Sequence, residues 1–483
     1  MSRRQTCLAL WIVFGAIFAA SLPDRLAHLD DAWLGEQAYL LARDGVVRSD
    51  LFHGFLGYED RIWVFHKLFI PQGALAIDLF GWSSAAIKSV SLPWFLITLL
   101  LLHLAVRRDR HIDRRFAPWV PLFFFAHPLA MDYAYTFRPE ICLTALGLGS
   151  YLALRAYVQD SSRAALAAGA ILAGVGVLMH LNGVIFVAAG AVLLAMERRW
   201  WAASGFLILA ASVSALYVAD AAIAGELPAL WAQFARDPAL EVRDFHITGL
   251  LSKLLEEPRR WMRHGEDVAT SLLVLVGLVS AGLGLRRQHR SLAIYTLVAF
   301  LVLGLTAQSK TPKYALPLLP FLLLLVAAGM QRSLVSSRAT RARRRVVLAV
   351  ASIFLVTCAS RSWRYFSRNT DEAARHVQLL AGIERGTVVA ADLTFVFDEI
   401  EHHRLRGLWA YRVAAEGRGE VLDLRGLIDA AREDGALHII LDLKRELPRR
   451  LAEQWPELAG GVPASLGRSE PGNVMILDVQ GKL

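Results

Sequence analysis

Cysteine is almost missing from this chain: three residues in 483, Cys7, Cys142 and Cys358, each inside an apolar stretch. That scarcity excludes a disulfide framework and a thiolate-built metal site. Charge is scarce too. Charged residues make up 20% of the chain against a hydrophobic share of 55%, and the mean hydropathy of +0.42 lies on the apolar side of globular proteins. No internal repeat and no matched pair of Gly/Pro-interrupted helices is visible, although the halves of many transporters show them. What is present is a series of apolar stretches of membrane-spanning length over the first three quarters of the chain. The last quarter lacks them. This contrast places a boundary near Ser360 and divides the chain into residues 1–360 and 361–483.

Lys and Arg number 52 against 43 acidic residues. The excess does not point to nucleic acid, because it is dispersed one break at a time: Arg3–Arg4, Arg107 to Arg115, Arg163, Arg198–Arg199, Arg286 to Arg290 and Arg332 to Arg345. Such alternation is what the positive-inside rule imposes on cytoplasmic loops. Span assignment checked against this parity gives about eleven helices: Thr6–Leu22, Ile87–Val106, Phe116–Met131, Ile141–Tyr157, Ala164–Met179, Val184–Met196, Trp201–Ala221, Val268–Leu285, Leu292–Ala307, Ala315–Met330 and Val346–Ala359. The first is read as an uncleaved anchor rather than a signal peptide ending at Ala19-Ala20-Ser21. The N terminus is then cytoplasmic and residues 361–483 lie outside, the topology expected of a bacterial inner-membrane protein. Strands at Thr387–Leu393, Glu420–Leu424, His438–Leu443 and Asn473–Val479, with helices at Asp371–Ile383, Leu427–Glu433 and Leu447–Glu457, make that segment a small α/β domain.

Four features collect on the expected outer face: the loop Pro23–Ser84, the turn Asp132–Glu140, the loop Ala222–Asp267 and the turn Gln308–Tyr314. In the first loop Ala32–Arg43 is amphipathic and Ile62–Phe80 is apolar enough to lie in the interface, so the two would wall a cavity at the bilayer surface. Asp30–Asp31 sits just past the first helix, where a carboxylate can take a proton from an attacking hydroxyl. The same pair suits a helix cap; base and cap stay open, and one residue can do each. Glu59, His66 and Lys67 add titratable and cationic groups, and Lys67 suits a phosphate leaving group as well as a snorkelling anchor. Arg138 and Glu140, at a re-entry into the membrane, read as a site or as a mutual ion pair. His180 breaks two apolar segments, and Lys313 and Tyr314 put cationic and aromatic character outside, against the charge bias. No His/Cys/Asp spacing reads as a metal site. In the loop Ala222–Asp267 the residues Arg236, Arg243, His246, Arg259, Arg260, Arg263 and His264 read mainly as solvated surface.

Asp30-Asp31-Ala32-Trp33, Gln37-Ala38-Tyr39, Phe65-His66-Lys67, Leu79-Phe80-Gly81, Phe137-Arg138-Pro139-Glu140 and Lys313-Tyr314-Ala315-Leu316-Pro317-Leu318-Leu319-Pro320 together resemble the GT-C superfamily of polytopic glycosyltransferases. Within it they are most similar to bacterial relatives of the protein O-mannosyltransferases and of the lipid A aminoarabinose transferases. The resemblance implies an α-helical polytopic fold and transfer of a hexosyl or pentosyl group, with inversion, from a polyprenyl-phosphate donor to a lipid, glycan or protein at the outer face. It implies Asp30 as base with Asp31 in support. Lys67 then contacts the donor phosphate, with Arg138, Lys313 and Tyr314 as companions. Glu59, His66, Glu140 and His180 are placed around the substrates. Leu68–Phe69 stands where relatives often carry Pro-Pro, and His66 where they often carry an acid, so a divalent cation is left open. The rival class is a transporter or flippase of an amphipathic anion, for which an outer α/β domain has no evident use.

Overall fold

The computed structural model describes residues 2–23, 25, 28–236, 247–282, 288–307, 310–335, 340–366, 372–442, 446–452 and 474–479. Among them, six helices are long and apolar enough to cross a membrane. There are seven if Ser252–Trp261 and Gly265–Ala281, which meet at 104°, count as one bent span. Four further apolar helices are shorter, so length and composition do not reproduce the eleven expected spans. The third of those spans, Phe116–Met131, shows the cause. It is split into Trp119–Ala126 and Pro128–Tyr133. Pro128 opens the second helix, and His127 before it is extended at ψ 124°, as a residue preceding proline prefers.

Helices α1 (Arg3–Ser21) and α7 (Arg341–Phe366) show large apolar side chains to the exterior, among them Leu8, Ile12, Leu348, Ile353 and Val356. Such exposure suits a hydrocarbon solvent and not water. The chain is a multi-pass membrane protein. Arg243 and His246 lie outside the described residues, as do Gln308 and Ser309.

After α1 the chain turns into α2 (Leu29–Asp44), broadly the helix expected at Ala32–Arg43. Asp31 occupies its third position and accepts a hydrogen bond from the His28 backbone N–H at 3.2 Å, so this carboxylate is the cap. Gly45, in the left-handed conformation at φ +72°, stops the helix. Helix α3 (Ile70–Phe80) packs against α2 through Gly73, where a Cβ would collide with Phe137 and Ala38. Phe137 also stacks on Phe69 at 4.5 Å, so the residue preceding Arg138 is wedged against α3.

Glu36, further along α2, is buried. Its Oε1 accepts from the backbone N–H groups of Asp50 and Leu51, both at 2.8 Å, and its Oε2 meets the Ser49 hydroxyl. Burial outweighs these hydrogen bonds and pushes its carboxyl up to about 8. A carboxyl whose folded value exceeds its unfolded one stabilises most below the unfolded value. That contribution is lost as pH rises from about 4.5 through about 8. Glu36→Gln should therefore flatten the pH dependence of unfolding across this window, while Glu36→Ala should cost about 1–3 kcal/mol for each buried donor left unpaired. Denaturant titrations of the detergent-solubilised protein between pH 5 and 9 check both.

The C-terminal sheet has the order β2-β1-β3-β4, with β1 Val388–Ala391, β2 Arg404–Gly407, β3 His438–Asp442 and β4 Val474–Asp478. The pairs β1–β2 and β1–β3 are parallel and β3–β4 is antiparallel. Glu420–Leu424 is not the strand expected there. Asp423 accepts from Gly426 N at 2.7 Å and caps the helix Leu424–Glu433, which takes the segment out of extended pairing. The second strand comes instead from Arg404–Gly407. This sheet docks onto the first loop: Gly407 N donates to Leu51 O at 2.9 Å and Arg406 donates to Asp50 O at 3.1 Å. Trp82 stacks on Phe397 at 5.9 Å beside α2.

Candidate active site

Three segments meet where α2 begins. The first is Asp30 on its opening turn. The second is Arg138 at the entry to α5 (Glu140–Asp160), and the third is Lys313 in the 3₁₀ turn Pro312–Leu318. Proline sets the last two. Pro139 is the N-cap of α5, leaving Glu140 in the first turn where the helix dipole favours an anion. Pro312 starts the 3₁₀ turn, and Pro317 within it and Pro320 just beyond it stiffen the chain.

Arg138 bridges two carboxylates. Its guanidinium bonds Asp30 on one side, and on the other Nε donates to Glu140 Oε2 at 3.1 Å. Lys313 Nζ reaches Asp30 Oδ2 at 3.0 Å. The two acids differ in access. The Glu140 side chain is 1% exposed and Arg138 8%, whereas Asp30 is 46% exposed. Glu140 is thus the buried counter-ion that lets Arg138 sit inside the fold, and Asp30 is the carboxylate an incoming molecule can touch.

Aromatic and imidazole groups line the surroundings. His66 and His180 stack at 5.0 Å, and His180 lies edge-on to Tyr314 at 6.3 Å. Desolvation pushes His66 down to about 4, so the imidazole is neutral at physiological pH, as a close ring stack requires. The Tyr314 ring lies under Lys313 at 5.3 Å and Arg260 at 5.8 Å. Behind Asp30, desolvation raises Asp31. Asp132 is also desolvated, but His28 at 3.3 Å, with Arg25 and Lys88, carries it below the usual carboxylate range. The adjacent carboxyls of α2 therefore have distinct surroundings: one capped and buried, one open and cation-bound.

Of the residues singled out in sequence, Asp30, Arg138, Glu140 and Lys313 come together, with Tyr314, His180 and His66 joined through ring contacts. Asp31 lies one residue away with a backbone role. Lys67 goes elsewhere: its ammonium meets Asp220 at 2.7 Å and Trp63 O at 2.8 Å, above the Phe65 ring. No hydrogen bond or ion pair joins Glu59 to the Asp30 cluster among the described residues. Lys310 is held by Glu257 at 3.0 Å and by two backbone carbonyls. The residues that sequence reading missed are partners: Asp220 for Lys67, Glu257 for Lys310, and Glu36 of α2 for the loop at Asp50 and Leu51. Glu36 had a visible signal, a lone acid among Leu34, Gly35, Gln37 and Ala38. Arg138 occupies the carboxylates of Asp30 and Glu140, and among the described residues no three His, Cys, Asp or Glu side chains converge as a metal would need.

A helical bundle with a small mixed sheet docked on its first loop is a fold that this chain shares with solved structures of other proteins. The chain is similar to ArnT from Cupriavidus metallidurans bound to undecaprenyl phosphate, with a TM-score of 0.62 at 13% identity over 100% of this chain and 99% of that one. ArnT from the same organism in the apo state gives 0.63 at 14% identity, covering 99% of this chain and 98% of that chain. The Archaeoglobus fulgidus oligosaccharyltransferase AglB, in complex with an inhibitory peptide and a dolichol-phosphate, matches at TM-score 0.52 and 11% identity, over 92% of this chain and 70% of that one. No protein-family model matches the chain, and no curated protein matches it.

Proposed function

We propose that the protein is a membrane glycosyltransferase that moves a sugar from a polyprenyl-phosphate donor to an acceptor hydroxyl at the non-cytoplasmic face of a bacterial inner membrane. The observation that carries this reading is the accessible Asp30 carboxylate between two cations, Arg138 and Lys313, at the end of a GT-C bundle. The donor phosphate takes Lys313 and the side of the Arg138 guanidinium turned away from Glu140, displacing Asp30 from both. The released carboxylate then accepts the proton of the acceptor hydroxyl while its oxygen attacks the anomeric carbon. The bond from that carbon to the phosphate oxygen breaks on the opposite face, giving inversion. Polyprenyl phosphate leaves with its charge countered by the same two cations.

Glu140 keeps Arg138 in place, and the rings of His66, His180 and Tyr314 offer apolar faces and edges beside which a sugar ring can pack. Lys67 joins the phosphate only by leaving Asp220. Residues 361–483 act as an extracytoplasmic platform that orients the acceptor and braces α2. The test is incubation of the purified protein with radiolabelled polyprenyl-phosphate hexoses and pentoses. Release of polyprenyl phosphate is expected with one donor class and an added lipid, glycan or protein acceptor. No release from any donor, with flux of such an amphipathic anion across proteoliposomes, would replace this reading by transport.

A further inference from the structure

The opposite end of the bundle carries a second feature that the transfer site does not use. Helix α1, helix α4 (Trp119–Ala126), helix α6 (Leu319–Leu334) and α7 border an open cavity of about 1230 Å³. Arg4, Arg114, Arg115 and Arg344 stand on its lining, and among the described residues no carboxylate does. The arginines come from three separate segments: α1, the 3₁₀ turn Arg114–Phe116 and α7. Positive-inside bias accounts for basic residues in loops, but not for their convergence on one cavity.

Nearby charges are engaged elsewhere. Arg332 donates to Ala281 O and Arg343 to Ser280 O. Asp113 lies 3.9 Å from Arg115 and also caps its own turn, accepting from Arg115 N. Below the arginines the lining is mostly apolar, with Thr6 and Ser352 among side chains that reach Leu10, Phe123 and Val356. The wall is held in shape by Trp11, whose indole N–H donates to Pro118 O at 3.2 Å. From Arg344 to Val356 the helical rise is about 18 Å. That is close to one leaflet of a hydrocarbon core of about 30 Å.

We infer that this cavity binds an anionic glycerophospholipid of the leaflet on the arginine side, with its phosphate among the four arginines and an acyl chain along α6 and α7. Charge complementarity selects an anionic headgroup, as basic pockets between membrane helices do. Depth selects an acyl chain of one leaflet over a long polyprenyl chain. The site is separate from the Asp30 cluster by the length of α1, so its occupancy is read without any transfer assay.

Native mass spectrometry of the purified full-length protein tests it, using phosphatidylglycerol and phosphatidylcholine of matched chains. Phosphatidylglycerol should be retained at least about tenfold more strongly, with inorganic phosphate at millimolar concentration failing to displace it. Arg114→Gln combined with Arg344→Gln should weaken retention about tenfold. Ala351→Trp keeps every charge and fills the cavity, and should do the same; Ala351 lines the cavity and is buried. Equal retention of the two lipids overturns the proposal. So does retention unchanged in both variants, displacement by inorganic phosphate alone, or stronger binding of undecaprenyl phosphate. The headgroup comparison on the unaltered protein decides the matter if either variant fails to fold.

Discussion

Asp30→Asn should lower the rate of sugar transfer by about 10²–10⁴-fold, the usual contribution of a positioned general base, and leave the folded protein intact. Asparagine keeps the size of the side chain but cannot take the hydroxyl proton. It also withdraws the anion that competes with the donor for Lys313 and Arg138. The donor KM should therefore hold or fall while kcat collapses, a split that a simple loss of structure does not produce. Asp31→Ala should behave in the opposite way. Its carboxylate accepts from His28 N, so the loss is that of a cap, about 0.5–2 kcal/mol of stability, with transfer retained in the folded fraction. Steady-state release of polyprenyl phosphate, measured beside thermal unfolding for both variants, checks the pair. Full activity in Asp30→Asn would remove this residue from the mechanism.

Glu140→Ala should be the most destabilising single change at the site. Arg138 is buried, and removing its buried partner leaves a guanidinium with the half-exposed Asp30 as its remaining carboxylate. Breaking one side of such a pair costs about 3–5 kcal/mol. In detergent this should appear as a marked drop in the unfolding midpoint and a loss of monodisperse protein on size exclusion. Arg138→Lys should not rescue the arrangement, because an ammonium cannot present a planar fork to two carboxylates at once. It should keep more stability than Glu140→Ala and still lose donor affinity. A Glu140→Ala protein as stable as the parent would show that the pair contributes nothing to the fold.

Much of the candidate site is legible in the residue string, for physical reasons that vary by residue. Asp30, Arg138 and Lys313 stand out because charges at membrane depth are costly, and alternating basic breaks put them on one expected face. Their meeting depends on a separation of 283 positions between Asp30 and Lys313, which periodicity does not encode. Lys67 shows the same limit from the other side. Its partner Asp220 is 153 positions away, so a cation that reads as free is neutralised in the fold. Near the C terminus, Glu420–Leu424 carries the short apolar run Val421-Leu422 that suggests a strand, yet the Asp423 cap outweighs that weak pattern. Arg404–Gly407, with two arginines in four residues, pairs because its neighbour β1 supplies the hydrogen bonds. The broken span at Pro128 was legible in principle, since proline removes a donor wherever it sits.

The bond between Arg406 and the Asp50 carbonyl joins positions 356 residues apart. At a synthesis rate of about 5–20 residues per second, the loop under α2 waits roughly 20–70 s for that partner. Through this interval the loop that follows the helix bearing Asp30 lacks its brace. Support of that loop is thus timed by the ribosome: a chain stalled or cleaved before β2 keeps Asp50 and Leu51 without the partners that Arg406 and Gly407 supply.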